Sequence, residues 1–144
     1  MKVLVDTSVF VASMIASHQS HPQARQWIDS IRNGSVAAVV SAHSLAETYS
    51  VLTRIPPPQR LSAAVAWRLI KQDILEITEV LALTSQEYQD LIARLAQSQI
   101  VGGAVYDAVI ADVALKSQVD HIVTLNPRDF RRVNPLLTAT IIVP

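Results

Sequence analysis

Short apolar runs alternate along this chain with longer segments that carry apolar residues at helical spacing. Runs such as residues 3–5 and 36–40 are typical of strands buried on both faces of a parallel sheet, because neither face of such a strand meets water. On this pattern we predict five strands, at residues 3–5, 36–40, 74–77, 121–125 and 140–143.

Helices are predicted between these strands. Ala24, Trp27, Ile28 and Ile31 form one apolar stripe of a helix that begins at His21 and ends before Gly34. Other helices are predicted at residues 7–15, 63–71, 85–98 and 105–117, and one more begins at residue 41 or 44 and ends at about residue 54. The prolines at 56–58 are interpreted as a helix–helix connection. Strands separated by helices predict an α/β fold, a three-layer sandwich around a central parallel sheet of about five strands. We expect residues 1–144 to form a single domain.

Composition narrows the class of protein further. The 144 residues are 50% hydrophobic and 17% charged and include no cysteine, which excludes disulfide scaffolds, cysteine-ligated zinc and thiol nucleophiles. No apolar run reaches the roughly 18 residues of a membrane span, and Asp6 interrupts the first run too early for a signal peptide. We therefore expect a cytoplasmic protein without a membrane partner. Twelve basic residues balance twelve acidic ones, so a general coat for polyanions is excluded while a local basic patch is not.

Polar residues follow the predicted strands where ligands of open parallel sheets bind, beyond the carboxyl ends. Asp6 follows the first strand, Glu47 comes shortly after the second, and Thr124 and Asn126 follow the fourth. Each has a purely structural alternative. Asp6 could cap the first helix, and Glu47 could close a capping box with Ser44.

Asp107 is the most informative candidate, because its predicted helix is apolar nearly all round and therefore buried. Its helical neighbours at 103, 104, 110 and 111 are not basic, and a buried carboxylate needs a cation or a partner from elsewhere. The structural alternative is a charge favoured by the helix dipole near the N-terminus. Asp112 differs, since Lys116 at i+4 predicts an ordinary ion pair.

The segment after the fourth strand has structural alternatives as well. Asn126-Pro127 is typical of a turn, and Asp129 could cap a short helix. Three arginines follow that could form a solvated face or contact phosphates: Arg128, Arg131 and Arg132. The four histidines form no spaced metal motif, and we interpret them as ordinary: His18, His21, His43 and His121.

Together these carboxylates suggest a metal site. Acidic side chains that converge at one sheet edge repel each other, and a hard divalent cation such as Mg²⁺ or Mn²⁺ would stabilise them through oxygen ligands. Such ions activate water and offset charge on phosphoryl groups. The pattern therefore favours metal-dependent phosphodiester hydrolysis.

Four short motifs support this interpretation by resemblance. They are Val-Leu-Val-Asp-Thr-Ser at 3–8, Ala-His-Ser-Leu-Ala-Glu at 42–47, Tyr-Asp-Ala-Val-Ile-Ala at 106–111 and Val-Thr-Leu-Asn-Pro-Arg-Asp-Phe at 123–130. In this order and spacing, across essentially the whole chain, they resemble the PIN domain family, specifically the VapC-like toxins of bacterial and archaeal toxin–antitoxin pairs. The resemblance implies a PIN-like fold, Mg²⁺- or Mn²⁺-dependent endoribonuclease activity, a small antitoxin that blocks the acidic cleft, and a homodimer.

The resemblance also implies roles for individual residues. By position, Asp6, Glu47 and Asp107 match the family's first three acidic residues, and three hydroxyl residues match those that support the metal: Thr7, Ser8 and Thr124. At the fourth acidic position this chain has Asn126, which offers a carbonyl oxygen but no charge. Asp129, three residues further on, could take part of that role, and a second metal is in doubt more than the first.

We hypothesise that Asp6 and Asp107 hold one ion, that Glu47 helps to deprotonate water, and that the arginines at 128, 131 and 132 contact RNA phosphates. A phosphatase with Asp6 as nucleophile is an alternative, although Ser8 occupies the position of the usual second aspartate. A non-catalytic PIN-like domain that binds RNA or a protein, with a degraded metal site, is the other.

Overall fold

The computed structural model describes residues 1–128 and 130–144. Five strands form one sheet in which all paired neighbours are parallel, in the order β3-β2-β1-β4-β5. The strands are β1 (Lys2–Val5), β2 (Ala37–Ser41), β3 (Glu79–Leu81), β4 (His121–Val123) and β5 (Thr140–Ile142). In the centre, Leu4 of β1 lies opposite Val39 of β2 and Ile122 of β4. The predicted α/β class and parallel sheet are confirmed.

Helices connect the strands, and all but the last of them lie where the apolar spacing predicted helices. They are α1 (Thr7–Met14), α2 (His21–Arg32), α3 (Ala42–Arg54), α4 (Ala63–Ile70), α5 (Ser85–Gln97), α6 (Ala104–Ser117) and α7 (Phe130–Val133). The three prolines do lie between two helices, α3 and α4. Within the described part of the chain, no helix is long and apolar enough to cross a membrane.

The sheet has a hydrophobic core on each face. Successive residues of a strand point to opposite faces, so Leu4 packs on one side with α5, α6 and α7, while Val3 and Val5 pack on the other with α1 and α2. All three side chains are fully buried. This double burial explains the continuous apolar runs and confirms the three-layer arrangement.

The strand predicted at residues 74–77 is wrong. Lys71–Leu75 continues α4 as a π-helical turn, and Ile74 is fully buried in the core beside α2. The third strand comes later, at Glu79–Leu81, where the side chains are exposed or half-buried. A short apolar run has the same pattern in a buried helical turn as in a buried strand, and an exposed edge strand leaves no such run.

The π-helical turn is held to α2 by buried charge. Asp73 is 6% exposed, accepts a hydrogen bond from Arg25 at 2.8 Å and forms an ion pair with Arg32. Burial by itself would lower the pKa of Arg25, but its hydrogen bonds and charge attraction to Asp73 and Asp29 outweigh burial and raise the pKa above its ordinary value. A strand at this position would remove Asp73 from both guanidinium groups.

The ion pair predicted between Asp112 and Lys116 is also wrong. Asp112 of α6 instead binds Arg94 of α5, with 2.8 Å between Arg94 Nη2 and Asp112 Oδ1, and Lys116 binds Glu87 at 2.9 Å. The hydrogen bonds from Lys116 and from the Thr84 backbone N–H hold the pKa of Glu87 below its ordinary value. Partners on the neighbouring helix take precedence here over the partner one turn away.

Candidate active site

A cleft of about 630 Å³ opens at the carboxyl edge of the sheet, where β1 and β4 end. It brings together four of the polar residues singled out in the sequence, which come from distant parts of the chain: Asp6, Glu47, Asp107 and Asn126. Thr7 and Ser8 line the same cleft. The catalytic and metal-binding roles of these residues stay predictions.

Asp6 is positioned by the end of β1 and is 6% exposed. Its backbone N–H donates to the Val123 carbonyl of β4 at 3.0 Å, which fixes the residue at the strand end. It occupies the N-cap position of α1, but its side chain makes no capping hydrogen bond. The cap alternative is therefore wrong, because both hydrogen bonds to this carboxylate come from hydroxyl groups. Ser8 Oγ donates to Asp6 Oδ2 at 2.6 Å, and Thr124 Oγ1 donates to the same oxygen at 2.7 Å.

The direction of these two hydrogen bonds is fixed by the backbone after β4. The Leu125 N–H donates to Ser8 Oγ at 3.0 Å, and the Asn126 N–H donates to Thr124 Oγ1 at 2.9 Å. Each hydroxyl oxygen thus accepts from the backbone and turns its own hydrogen toward Asp6. One carboxylate oxygen, Oδ2, is held from two sides, and Oδ1 is left for other ligands.

Glu47 lies in the second turn of α3 and is held in the same manner. Thr7 Oγ1 donates to Glu47 Oε2 at 2.7 Å, and His43 Nε2 lies 3.5 Å from that oxygen. The capping-box alternative is wrong, because α3 begins at Ala42 and Ser44 is a fully buried residue inside the helix. The glutamate side chain is 37% exposed. Its second oxygen, Oε1, has no hydrogen-bond partner within residues 1–128 and 130–144.

Asp107 lies in the first turn of α6, whose next turns are buried as the sequence predicted. The residue before it, Tyr106, stacks on His43 of α3, with 4.8 Å between ring centroids and 6° between planes. This contact joins the first turns of α3 and α6. It brings the helices that carry Glu47 and Asp107 to the same cleft.

The remaining candidates differ in position. Asn126 lines the cleft, whereas the arginines at 128, 131 and 132 are exposed and are not among its lining residues. Asp129 lies outside the described residues. As far as the structure describes the chain, no Lys or Arg lines the cleft, and no Lys or Arg forms an ion pair with Asp6 or Glu47.

The donor set suits a hard cation in its chemistry, since Asp6, Glu47, Asp107 and Asn126 all offer oxygen. Over the described ranges, however, no three His, Cys, Asp or Glu side chains form a ready-made metal-binding group. The buried carboxylate of Asp6, with hydroxyl donors on one oxygen and no Lys or Arg partner in residues 1–128 and 130–144, is the feature that best fits a cation.

Sequence reasoning missed three residues at this cleft. His18 and Tyr106 line it, and His43 contacts Glu47. The Ser20 N–H donates to His18 Nδ1 at 3.1 Å, which leaves Nε2 as the ring nitrogen that carries hydrogen in the neutral side chain. No spacing rule marks His18, because it lies in the loop between α1 and α2. Tyr106 could have been found by its position next to Asp107.

The fold and the cleft define the class of protein. The PIN domain family model matches residues 3–135, and the chain belongs to this family. Among curated proteins it is similar to Ribonuclease VapC27 of Mycobacterium tuberculosis, with 38% identity over 127 residues, covering 88% of this chain and 84% of the relative. It is also similar to Ribonuclease VapC40 of the same species, with 39% identity over 109 residues, covering 76% of this chain and 75% of the relative.

Solved structures share the fold at lower identity. VapC20 of Mycobacterium tuberculosis, a toxin that cleaves the sarcin–ricin loop, superposes with a TM-score of 0.68 at 22% identity and covers 92% of this chain and 95% of that one. VapBC2 of Rickettsia felis, bound to a DNA fragment from its promoter, gives 0.66 at 17% identity, with 100% and 99% covered. At these identities the likeness establishes the fold.

Proposed function

We propose that this protein is a VapC-type endoribonuclease, the toxin of a toxin–antitoxin pair, which hydrolyses RNA phosphodiester bonds with Mg²⁺ or Mn²⁺. The observation that carries the proposal is the arrangement of Asp6 and Glu47 in one cleft. Each has one oxygen held by hydroxyl donors and the other left to act. Membership of the PIN domain family and the similarity to two proteins named ribonucleases support it.

The residues that would hold the ion are Asp6, through Oδ1, and Asp107, with the Asn126 carbonyl oxygen as a further donor. Asp129 stays a candidate from the sequence. A bound divalent cation supplies two things: it lowers the pKa of water, and it offsets negative charge on the phosphoryl group. Since Asn126 adds no charge, we propose one tightly bound ion.

The chain's own residues perform the remaining tasks. Glu47 Oε1 takes a proton from the attacking water, while the hydrogen bond from Thr7 keeps Oε2 in place. The water oxygen forms a bond to phosphorus, the bond from phosphorus to the leaving ribose oxygen breaks, and that oxygen takes up a proton from solvent. Exposed arginines after β4 contact flanking phosphates at three positions: Arg128, Arg131 and Arg132.

The partners are part of the same proposal. A cleft that carries acidic residues and no lining Lys or Arg among those described suits a basic segment of a small antitoxin, which would block RNA and metal together. We also propose a homodimer as the assembly. Size-exclusion chromatography with light scattering, on the chain with and without its antitoxin, tests both statements.

Cleavage of RNA by the purified chain tests the activity. With Mn²⁺ we expect cleavage of single-stranded RNA, loss of cleavage with a chelator, and loss of cleavage on Asp6→Asn, which keeps the shape of the side chain and removes its charge. The matched control is Asp90→Asn on α5, an exposed aspartate that does not line the cleft. Cleavage by Asp6→Asn at the rate of the unmodified chain would contradict the assignment.

One observation favours a second function, a non-catalytic domain that binds RNA or a protein. The described residues form no ready-made group of three metal-binding side chains. Calorimetry distinguishes the two functions. No heat of Mn²⁺ binding at millimolar concentration would favour the non-catalytic domain, and binding that Asp6→Asn removes would favour the nuclease.

A further inference from the structure

Tyr106 is an exposed aromatic side chain at the cleft. The residue is 51% exposed although one face of its ring is covered by the parallel ring of His43. His43 stacks on one face of the ring, so a base that stacks on the tyrosine would use the opposite face. Tyr106 lines the cleft beside Asp107.

The rest of the cleft makes this face unusual. Among the described lining residues, Tyr106 is the only Phe, Tyr or Trp, in a chain that is only 5% aromatic. No Lys or Arg is found in that same described lining, so no basic side chain of the lining attracts phosphates of RNA within the cleft. A flat apolar ring retains a nucleic acid without charge, because every nucleobase has a face on which an aromatic ring can stack.

His43 gives the ring a fixed orientation. The two rings are parallel within 6° and come from different helices, α3 and α6, so rotation of the tyrosine would break a contact between elements. A ring held in one orientation loses little freedom when a base is added to the stack. His43 is itself placed against Glu47, with 3.5 Å between Nε2 and Oε2, which links the stack to the site.

We propose that Tyr106, backed by His43, is a stacking platform for one unpaired nucleobase next to the scissile phosphate. This rests on the proposed ribonuclease function and adds to it that the substrate is RNA with an unstacked base at one fixed position from the cut. Hairpin loops and single strands offer such a base, whereas a continuous duplex does not.

Binding of RNA with single abasic positions tests the platform. In the Asp6→Asn background, which binds without cutting, the dissociation constant of a fluorescein-labelled single-stranded RNA is measured with each nucleotide near the cut made abasic in turn. Tyr106→Ala should weaken binding about tenfold. Tyr106→Phe should bind as the parent does. In the parent, one abasic position should weaken RNA binding by the same factor. In Tyr106→Ala, the same abasic position should weaken RNA binding no further.

Tyr88→Ala on α5 is the matched control, because it removes a tyrosine that is 39% exposed away from the cleft and should leave RNA binding unchanged. If Tyr106→Ala lowers the melting temperature, Tyr106→Leu replaces it and should show the same non-additive loss. Equal affinity of the parent, Tyr106→Ala and Tyr106→Leu would overturn the platform, and so would abasic effects that add to the Tyr106 substitution at every position. Failure of the unmodified chain to cut any RNA would instead overturn the ribonuclease proposal.

Discussion

At the scale of single residues, the hydroxyl groups around Asp6 and Glu47 determine how these two carboxylates are oriented. Each hydroxyl donates to one carboxylate oxygen, and Ser8 and Thr124 are themselves held by backbone N–H groups. Charge-assisted hydrogen bonds of this kind are roughly twice as strong as neutral ones. They keep two like charges in one cleft and leave one oxygen of each to react.

Thr124→Val tests the support of Asp6. Valine has the same shape as threonine but removes one donor to Asp6 Oδ2 and the acceptor of the Asn126 N–H. We expect a loss of about 1 to 2 kcal/mol in the free energy of unfolding, measured by urea titration, and a fall of about tenfold in RNA cleavage. Thr124→Ser keeps the hydroxyl and should restore both. A Val variant as stable and active as the parent would show that the hydrogen bond has no role.

Asn126→Asp tests the position where this chain departs from the family pattern. A further negative charge in the cleft should lower the dissociation constant for Mn²⁺ severalfold in calorimetry, and should lower the melting temperature without metal because like charges repel. Gln89→Glu adds the same charge on α5 and should change neither. If Mn²⁺ affinity stays the same in Asn126→Asp, residue 126 does not face the ion.

At this scale the sequence indicated which carboxylates meet but not how they are held. The motifs pointed to Asp6, Glu47 and Asp107, and all three line one cleft. The capping roles considered for Asp6 and Glu47 were wrong, because tertiary hydroxyl donors replace the local backbone. The direction of the Ser8 hydrogen bond depends on the Leu125 N–H, 117 positions away along the chain, and no local pattern encodes that.

At the scale of secondary-structure elements, α6 contributes both to the cleft and to the contacts between neighbouring elements. Its first turn holds Asp107 at the cleft, and its third turn holds Asp112, which binds Arg94 of α5 and, at 2.7 Å, the side-chain N–H of Asn134. Asn134 is 3% exposed. Asp112 therefore joins α5, α6 and the segment after α7.

Asp112→Ala should lower the free energy of unfolding by about 1 to 2 kcal/mol, since the buried Asn134 amide loses its acceptor while Arg94, partly exposed, regains water. Urea unfolding in double-mutant cycles checks the partner. The Asp112–Arg94 cycle should give a coupling energy and the Asp112–Lys116 cycle almost none. Coupling only to Lys116 would support the pairing expected from sequence spacing and contradict the structure.

Elements with strong patterns were predicted well, and an element without one was not. Strands buried on both faces and helices with apolar stripes have characteristic patterns, which is why β1, β2 and α2 lie within a residue or two of their predicted positions. The run at 74–77 was assigned to a strand because it is largely apolar, but its buried residue, Ile74, lies in a π-helical turn held by Asp73. β3 has only three residues at the edge of the sheet and leaves no apolar signal.

At the scale of the whole molecule, the balance of charge limits how RNA is held. Twelve basic residues match twelve acidic ones, and the exposed arginines after β4 lie outside the lining of the cleft. If the chain binds RNA as we propose, we therefore expect few phosphate contacts, with shape and base stacking as the other contributions to binding. This differs from proteins that coat nucleic acids through a general positive surface.

The salt dependence of RNA binding measures the number of those contacts. If three arginines neutralise three phosphates, the logarithm of the association constant should fall with the logarithm of salt concentration with a slope of about −2, and Arg131→Gln should reduce its magnitude by about 0.7. Fluorescence anisotropy from low to physiological salt gives both values. Lys71→Gln, a charge loss away from the cleft lining, should leave the slope unchanged. A slope several times steeper would contradict the small number of contacts.

The central position of β1 has a consequence for synthesis of the chain. Asp6 leaves the ribosome more than 100 residues before the strand that fixes it, β4, and before the hydroxyl of Thr124. Until translation reaches them, the nascent polypeptide lacks the Thr124 hydroxyl that donates to Asp6 and the Leu125 N–H that orients Ser8. A truncated translation product that ends before residue 121 is therefore expected to lack the RNA cleavage that we propose for the full chain.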